Sequence, residues 1–512
     1  MIPAQSRATS CSLAHQGLHP FRYHPAFIMR PVQAASPRAQ VALGSLTQTA
    51  ARVTGLLVGV ALMAYLTRRL GVSDYGRYSV AVVITNWVGI TIGLATGGAT
   101  VRLVSDGASG HRYAAAMIRM TAAFATTVAL ALGACAGPIA SALHEPELAP
   151  LLRILAADLV IAATAAVYSG ILVAQGRFAM SAAMLLWGSV AQLCSAVLFL
   201  EQGWSARGAC LAIATGSLVQ LTIGRVFSGI ALFGADRVSF PQLWGETRLL
   251  AGAQVALRLS HSLDLPAVKY FVGAAVPVGL YAGANAVCGA AIMLFMPSNG
   301  IVLQSLVRSR SQGRSDEAKR TGELFVRGAL AYGAVLCGLS VLSDDIAPFL
   351  LGSAFSASAP VLSLLLWTIA FRILAVAGRT LIASVGEQGS ILAPLTGLVA
   401  LGVIAYALAL PRGGILAAAS IALGIAALTA ISSLSAGLRL LEIPFPWGAA
   451  RRIAWATLAC AAVAHSLPGA GVLVLGKLTL GCAAYASVLV ALGEWRPERN
   501  QINALRAAFR RD

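Results

Sequence analysis

Charge is scarce in this chain of 512 residues. Asp, Glu, Lys and Arg make up 11% of it, less than half of the roughly 25% usual in soluble domains. Lysine is almost missing: Lys269, Lys319 and Lys477 are the only three among 37 basic residues. With 58% of the residues apolar, roughly 300 side chains need a place away from water, more than one soluble core can hold. A soluble enzyme, a disordered chain and a disulfide-stapled secreted domain are therefore excluded.

The signatures of chemistry are missing too. The eight cysteines form no C-x-x-C pair and all but Cys11 lie within apolar runs, where Cys acts as a small hydrophobe. Neither a disulfide nor a metal site is expected. The sequence holds no G-x-x-x-x-G-K-[ST] phosphate loop, no nucleophile elbow and no H-E-x-x-H pair. The expectation is a protein that is not an enzyme and needs no cofactor.

What the chain does contain is long charge-free runs. Residues 79–101, 178–200 and 413–438 include no Asp, Glu, Lys or Arg, and each run as a helix covers about 30 Å of hydrocarbon. The runs are continuous rather than alternating, which excludes a barrel. The expected fold is all-α, a polytopic membrane protein of about fourteen transmembrane helices. Hydropathy places them at 44–66, 78–102, 117–140, 150–174, 178–200, 208–233, 248–271, 278–304, 324–346, 358–382, 388–410, 413–437, 450–467 and 470–493. Ahead of them, residues 1–41 carry five prolines and no apolar periodicity, and are expected to be a disordered cytoplasmic segment rather than a signal peptide. His15, His19 and His24 are spaced too loosely to read as a metal tract. Met29 is an alternative start.

The net charge of +18 does not point to nucleic acid, because the charges sit in short connections without an aromatic-basic platform. They orient helices instead. Arg308, Arg310, Arg314, Lys319 and Arg320 follow the eighth span, and Arg496, Arg499, Arg506, Arg510 and Arg511 form the tail. By the positive-inside rule both groups are cytoplasmic, and so are both termini. Arg68, Arg69 and Arg77 in the first outward connection are the main exception.

An internal repeat is legible. Ala149-Pro150-Leu151-Leu152-Arg153-Ile154-Leu155 recurs as Ala359-Pro360-Val361-Leu362-Ser363-Leu364-Leu365, a shift of 210, and Gly176-Arg177 answers Gly386-Glu387 at the same shift. Gly76-Arg77-Tyr78 echoes Gly279-Leu280-Tyr281 at a shift of 203. Two six-helix halves in parallel orientation are expected, over 42–240 and 241–440, with a substrate path between them. An extra helix pair at 441–493 and a basic tail at 494–512 complete the division.

Arg69-Leu70-Gly71-Val72-Ser73-Asp74-Tyr75-Gly76-Arg77-Tyr78, with a glycine-rich second span and Val101-Arg102-Leu103-Val104 after it, resembles the opening of the bacterial polysaccharide flippases. These belong to the multidrug, oligosaccharidyl-lipid and polysaccharide exporter superfamily. Gln175-Gly176-Arg177-Phe178, Leu263-Asp264, and Phe349-Leu350-Leu351-Gly352-Ser353-Ala354-Phe355 agree with it, and the likeness covers about residues 42 to 440. Pro266-Ala267-Val268-Lys269-Tyr270 departs from the family pattern after Asp264. The resemblance implies an inner-membrane flippase for an undecaprenyl-pyrophosphate-linked oligosaccharide of O-antigen, capsule or exopolysaccharide assembly. Its partners would be that lipid-linked oligosaccharide, membrane lipids, and a polysaccharide polymerase and glycosyltransferases, with no nucleic acid. A multidrug–cation antiporter or lipid II flippase is the alternative, and a membrane polysaccharide polymerase or ligase the alternative of another class.

From the residues alone, Gly71 is expected to end the first helix in a left-handed conformation, and Tyr75 and Tyr78 suit the headgroup level. Ionisable residues inside spans are informative because each costs at least about 2.5 kcal/mol at mid-membrane. Arg119, Arg153 and Arg327 lie near helix ends and can snorkel. Arg258, Arg372 and Arg52 are the candidate substrate-binding residues, since a cationic cavity suits a cargo phosphate. His261, Asp264 and Asp158 are the candidate coupling residues, His being the side chain that titrates near neutral pH. Asp264 is placed to neutralise Arg258 or Lys269.

The topology makes a direct test. In a cysteine-free chain, a cysteine from Gln312→Cys is expected to be protected from an impermeant reagent outside the cell, and one from Ala354→Cys to react. The reverse pattern inverts the orientation.

Overall fold

A computed structural model describes residues 37–104, 110–230, 262–386, 392–467, 471 and 473–494. The elements are α1 (Pro37–Val104), α2 (Gly110–Ala142), α3 (Leu148–Ala174), α4 (Phe178–Glu201), α5 (Ser205–Ser228), α6 (Asp264–Val272), α7 (Ala275–Ser311), α8 (Ser315–Leu339), α9 (Ser343–Leu351), α10 (Ala359–Val385), α11 (Leu392–Leu440), α12 (Trp447–Ser466) and α13 (Leu473–Ala491). No strand occurs among the described residues. Among the described residues ten helices are long and apolar enough to cross a membrane. The expected seventh span lies mostly outside the described residues, and the thirteenth, α12, is helical but not among the ten.

Glycine conformation accounts for two corrections to the expected spans. The eleven-residue connection expected between the first two spans is a single break at Gly71 (φ 68°, ψ 179°), with helix on both sides. A second break, at Gly414 (φ 57°, ψ −146°), divides α11. Both backbones are in the positive-φ region that a side chain disfavours. Helix also begins earlier than expected, at Pro37 inside the segment 1–41, where proline's fixed φ suits a first turn. The rest of that segment, with Met29, and the tail 495–512 lie outside the described residues.

The repeat has a structural counterpart. Elements α3 and α10 are both 27 residues long, and each is followed by a glycine at positive φ, Gly176 and Gly386. Connections sort to two ends. At one end Arg69 pairs with Glu201, Arg77 with Glu145, and Ser205 bonds Asp74. Lys477 reaches Asp345 at the same end, at 2.7 Å. At the other, Arg177 bonds the carbonyl of Phe227, and Lys319 bonds Glu442 at 2.7 Å. That lysine holds the exposed Glu442 carboxyl below its ordinary range. These are called the Gly71 end and the Lys319 end below.

Packing follows the same division. The first half joins α2 to α3, α3 to α5 and α4 to α5, while α10 is the centre of the second half, against α7, α8 and α11. Lipid offers no hydrophobic gain for helix association, so small residues that admit close backbone contact decide where helices cross. A Cβ on Gly378 of α10 would lie 2.5 Å from the Ser433 carbonyl oxygen of α11, and one on Gly437 would lie 2.7 Å from the Gly378 oxygen. The pair α12 and α13 docks on α8, where Tyr485 donates to the Ala331 carbonyl at 2.8 Å.

Gly378→Ala is expected to destabilise the purified protein by about 1–3 kcal/mol through overpacking. Gly424→Ala, whose added carbon meets nothing within 4 Å, should not. The unfolding temperature in detergent compares the two.

Candidate functional site

Asp264 opens α6 and is only 3% exposed. Its Oδ2 accepts a hydrogen bond from the Tyr281 hydroxyl of α7 at 2.9 Å, and its Oδ1 one from the Leu265 amide at 2.9 Å. The guanidinium of Arg372 on α10 approaches the same Oδ2 at 3.7 Å, a Coulombic contact too long for a hydrogen bond. Tyr406 of α11 closes the group, leaving a space of about 10 Å³ bordered by Leu263, Arg372, Gly402 and Thr429, room for about one water. An acid and a base thus neutralise each other inside the second half. The sequence places Arg258 and Lys269 as partners for Asp264. Lys269 instead points to the Gly71 end, where Glu145 Oε2 and the Gly273 carbonyl each take a bond at 2.8 Å.

The other sequence candidates scatter. Arg258 and His261 lie outside the described residues, and Arg52 lies on α1 at a position whose side chain is likewise outside them. Asp158 sits on α3 in the first half, 6% exposed, with Ser217 beside it and its Oδ1 making no hydrogen bond. The structure therefore does not bring Asp158 and Asp264 together. Arg153 is exposed, as snorkelling requires, whereas Arg327 pairs with Glu323 at 2.6 Å. Among the described residues no group of His, Cys, Asp and Glu side chains is arranged to hold a metal ion.

One residue passed over in the sequence stands out. Arg379 lies on the Arg372 face of α10, two turns on and about 10 Å further along the axis. Its Nη1 is buried without a hydrogen-bond partner, and it forms no ion pair with a described residue. Next to it Thr380 donates to the Asn299 side chain of α7. Its seven-residue spacing from Arg372 is the signal the sequence offers for it.

The halves meet at the Gly71 end and part below it. Gly55, Gly59 and Met63 of α1, Ser189 of α4, and Met293 and Pro297 of α7 border a mostly apolar cleft of about 570 Å³. Tyr75 and Tyr78, expected at headgroup level, are buried instead at 4% and 9% exposure. Tyr75 packs edge-on against Phe355 at 5.9 Å between ring centroids, because the second half covers the position that a lone helix would present to headgroups. A second cavity, of about 600 Å³, opens beside Asp74, Arg77, Trp204 and Arg207.

Residues 65–360 match a family described as "Polysaccharide biosynthesis protein". Solved structures share the fold. A lipid II flippase, MurJ, in an inward closed conformation aligns with a TM-score of 0.71 at 16% identity, over 87% of this chain and 98% of that one. An inward-facing multidrug resistance MATE family transporter of the MOP superfamily aligns with 0.64 at 13%, over 78% and 98%. A MOP superfamily transporter from Pyrococcus furiosus aligns with 0.55 at 12%, over 79% and 95%. Identities this low speak for fold alone. No curated protein matches the sequence.

Arg372→Ala removes the counter-charge that faces the buried Asp264 and is expected to destabilise the protein by about 3–5 kcal/mol. Adding Asp264→Asn should recover most of that loss, since an amide oxygen can still accept from Tyr281. Unfolding temperatures of the two variants check this.

Proposed function

The chain belongs to the polysaccharide biosynthesis protein family, and from that premise we propose that it is a flippase. Its cargo is an undecaprenyl-pyrophosphate-linked oligosaccharide, moved from the cytoplasmic to the periplasmic leaflet of a bacterial inner membrane for O-antigen, capsule or exopolysaccharide assembly. Arg379 carries this reading. A half-buried guanidinium whose Nη1 is buried without a hydrogen bond, and which pairs with no carboxylate among the described residues, is costly in a membrane unless an anion visits it, and a diphosphate accepts its planar fork in two hydrogen bonds.

Arg372 has a different task in this reading, because Asp264 already offsets its charge. Arg258 and Arg52 remain candidates for further phosphate contacts. Among the coupling candidates His261, Asp264 and Asp158, the last is favoured, as a buried carboxylate whose Oδ1 has no partner. The apolar cleft between the halves suits the polyprenyl chain, and the basic connection at the Lys319 end favours that end as cytoplasmic. Glycosyltransferases would supply the cargo and a polymerase would consume it. Lipid II as cargo is a second reading, favoured by the fold shared with MurJ.

Deleting the gene should stop surface polysaccharide while lipid-linked repeat units accumulate inside. Restored export is expected from the wild-type gene, little or none from Arg379→Ala, and a partial level from Arg379→Lys, at matched protein amounts. Full export by the Ala variant removes Arg379 from the site. Unchanged polysaccharide in the deletion strain, with altered drug resistance or arrested peptidoglycan synthesis, defeats the glycan reading itself.

A further inference from the structure

The two glycines that echo each other in sequence touch each other in space. Gly76 lies in the first turns of α1 after its break, and Gly279 in the second turn of α7. A Cβ on Gly76 would lie 2.8 Å from both the Ala275 oxygen and the Gly279 nitrogen, and one on Gly279 would run into the Val72 carbonyl. Equivalent positions of two repeats in direct contact lie at the axis relating the halves. The backbones of the two halves are thus pressed together at the Gly71 end, while a cleft of about 570 Å³ separates them deeper in.

Charged groups tie down the same contact. Lys269, from the second half, is 2% exposed and bonds Glu145, from the first, at 2.8 Å. The other oxygen of Glu145 faces Arg77 Nε at 3.1 Å, and Arg77 also pairs with Asp74 at 3.0 Å and with Glu147. On the opposite side Arg68 donates to the Phe349 carbonyl at 2.7 Å. The geometry points to a latch: the Gly76–Gly279 contact closes the passage at the Gly71 end, and the Glu145–Lys269 bridge holds it shut until the halves part.

The physical parts are matched to that task. Glycine backbones approach closely but contribute no directional bond across lipid, so they leave the contact easy to separate. The buried ion pair supplies direction and register, yet its net stabilisation is small because desolvation opposes it. When the halves part, water reaches both charges and Glu145 keeps Arg77 as a partner. Lys269 is therefore a positioning residue whose cost of release is low. The latch concerns the passage and not the cargo, so it stands or falls independently of the glycan reading.

The test uses the full chain in membrane vesicles, with native cysteines changed to alanine and a reporter from Ala286→Cys, which faces the cleft. In the parent an impermeant maleimide should label the reporter from the Lys319 end and leave it protected from the Gly71 end. Lys269→Met should raise labelling from the Gly71 end by about tenfold, corresponding to a shift of roughly 1.4 kcal/mol in the closed-to-open balance. Lys269→Arg should restore protection. Gly76→Ala, which wedges the contact with one methyl group, should raise labelling in the same way and decides the matter where Lys269→Met does not accumulate. Labelling of the parent from the Gly71 end, or unchanged protection in folded variants, would overturn the latch.

Discussion

Hydrocarbon offers no hydrogen bond and no screening, and that single constraint governs every polar group in the spans of this chain. Backbone groups meet it by helix formation, even through segments that turn at Gly71 and Gly414. Side-chain hydroxyls meet it by bonding back one turn, as Thr164 does to Val160 and Thr429 to Ile425. Charges meet it by pairing: Asp264 with Arg372, Lys477 with Asp345, Lys269 with Glu145. Against that order, Arg379 and Asp158 are informative because each keeps a buried polar atom without a partner.

The same constraint explains where the halves hold together. Without a hydrophobic gain between apolar helices, contact depends on small residues and on polar bonds. Inside the second half Gly378 and Gly437 bring α10 and α11 to backbone contact. Between the halves Gly76 and Gly279 do the same at the Gly71 end. Deeper, methionines, glycines and Pro297 line the cleft between the halves. An assembly held by close backbone contact and a few polar bonds at one end is one whose joined end can part with little repacking.

Helix and repeat were legible because they are local. Apolar runs announce spans, and Gly176 and Gly386 mark equivalent helix ends that both prove to have positive φ. Pairing was not legible, since partners lie far apart in the chain: Lys269 is 124 residues from Glu145. Nothing near Asp264 in sequence announces Arg372, whereas Lys269, only five positions on, looked like a partner and points elsewhere. Tyr75 and Tyr78 misled for a related reason. Amphipathic rings near a helix start suit the headgroup level only when no second half covers them, and Phe355 does. Arg379 could have been found by its spacing from Arg372, but its lack of a partner is a property of the folded chain.

Two arginines on one face of α10 illustrate how one acid can divide labour between identical side chains. About 10 Å apart along the axis, two bare guanidinium charges would repel by about 1.7 kcal/mol at an effective dielectric constant of 20. Asp264 lies beside Arg372 and not beside Arg379, so the acid pairs with the first arginine while the charge of Arg372 still acts on Arg379. Arg379 thus keeps its like-charged neighbour and forms no ion pair with a described residue. Had the acid stood between the two arginines, both would be partly neutralised and neither would offer a full charge to an anion. Its placement at one side leaves the half-buried Arg379 without a paired acid among the described residues, and the hydrogen bond from Tyr281 fixes Asp264 there.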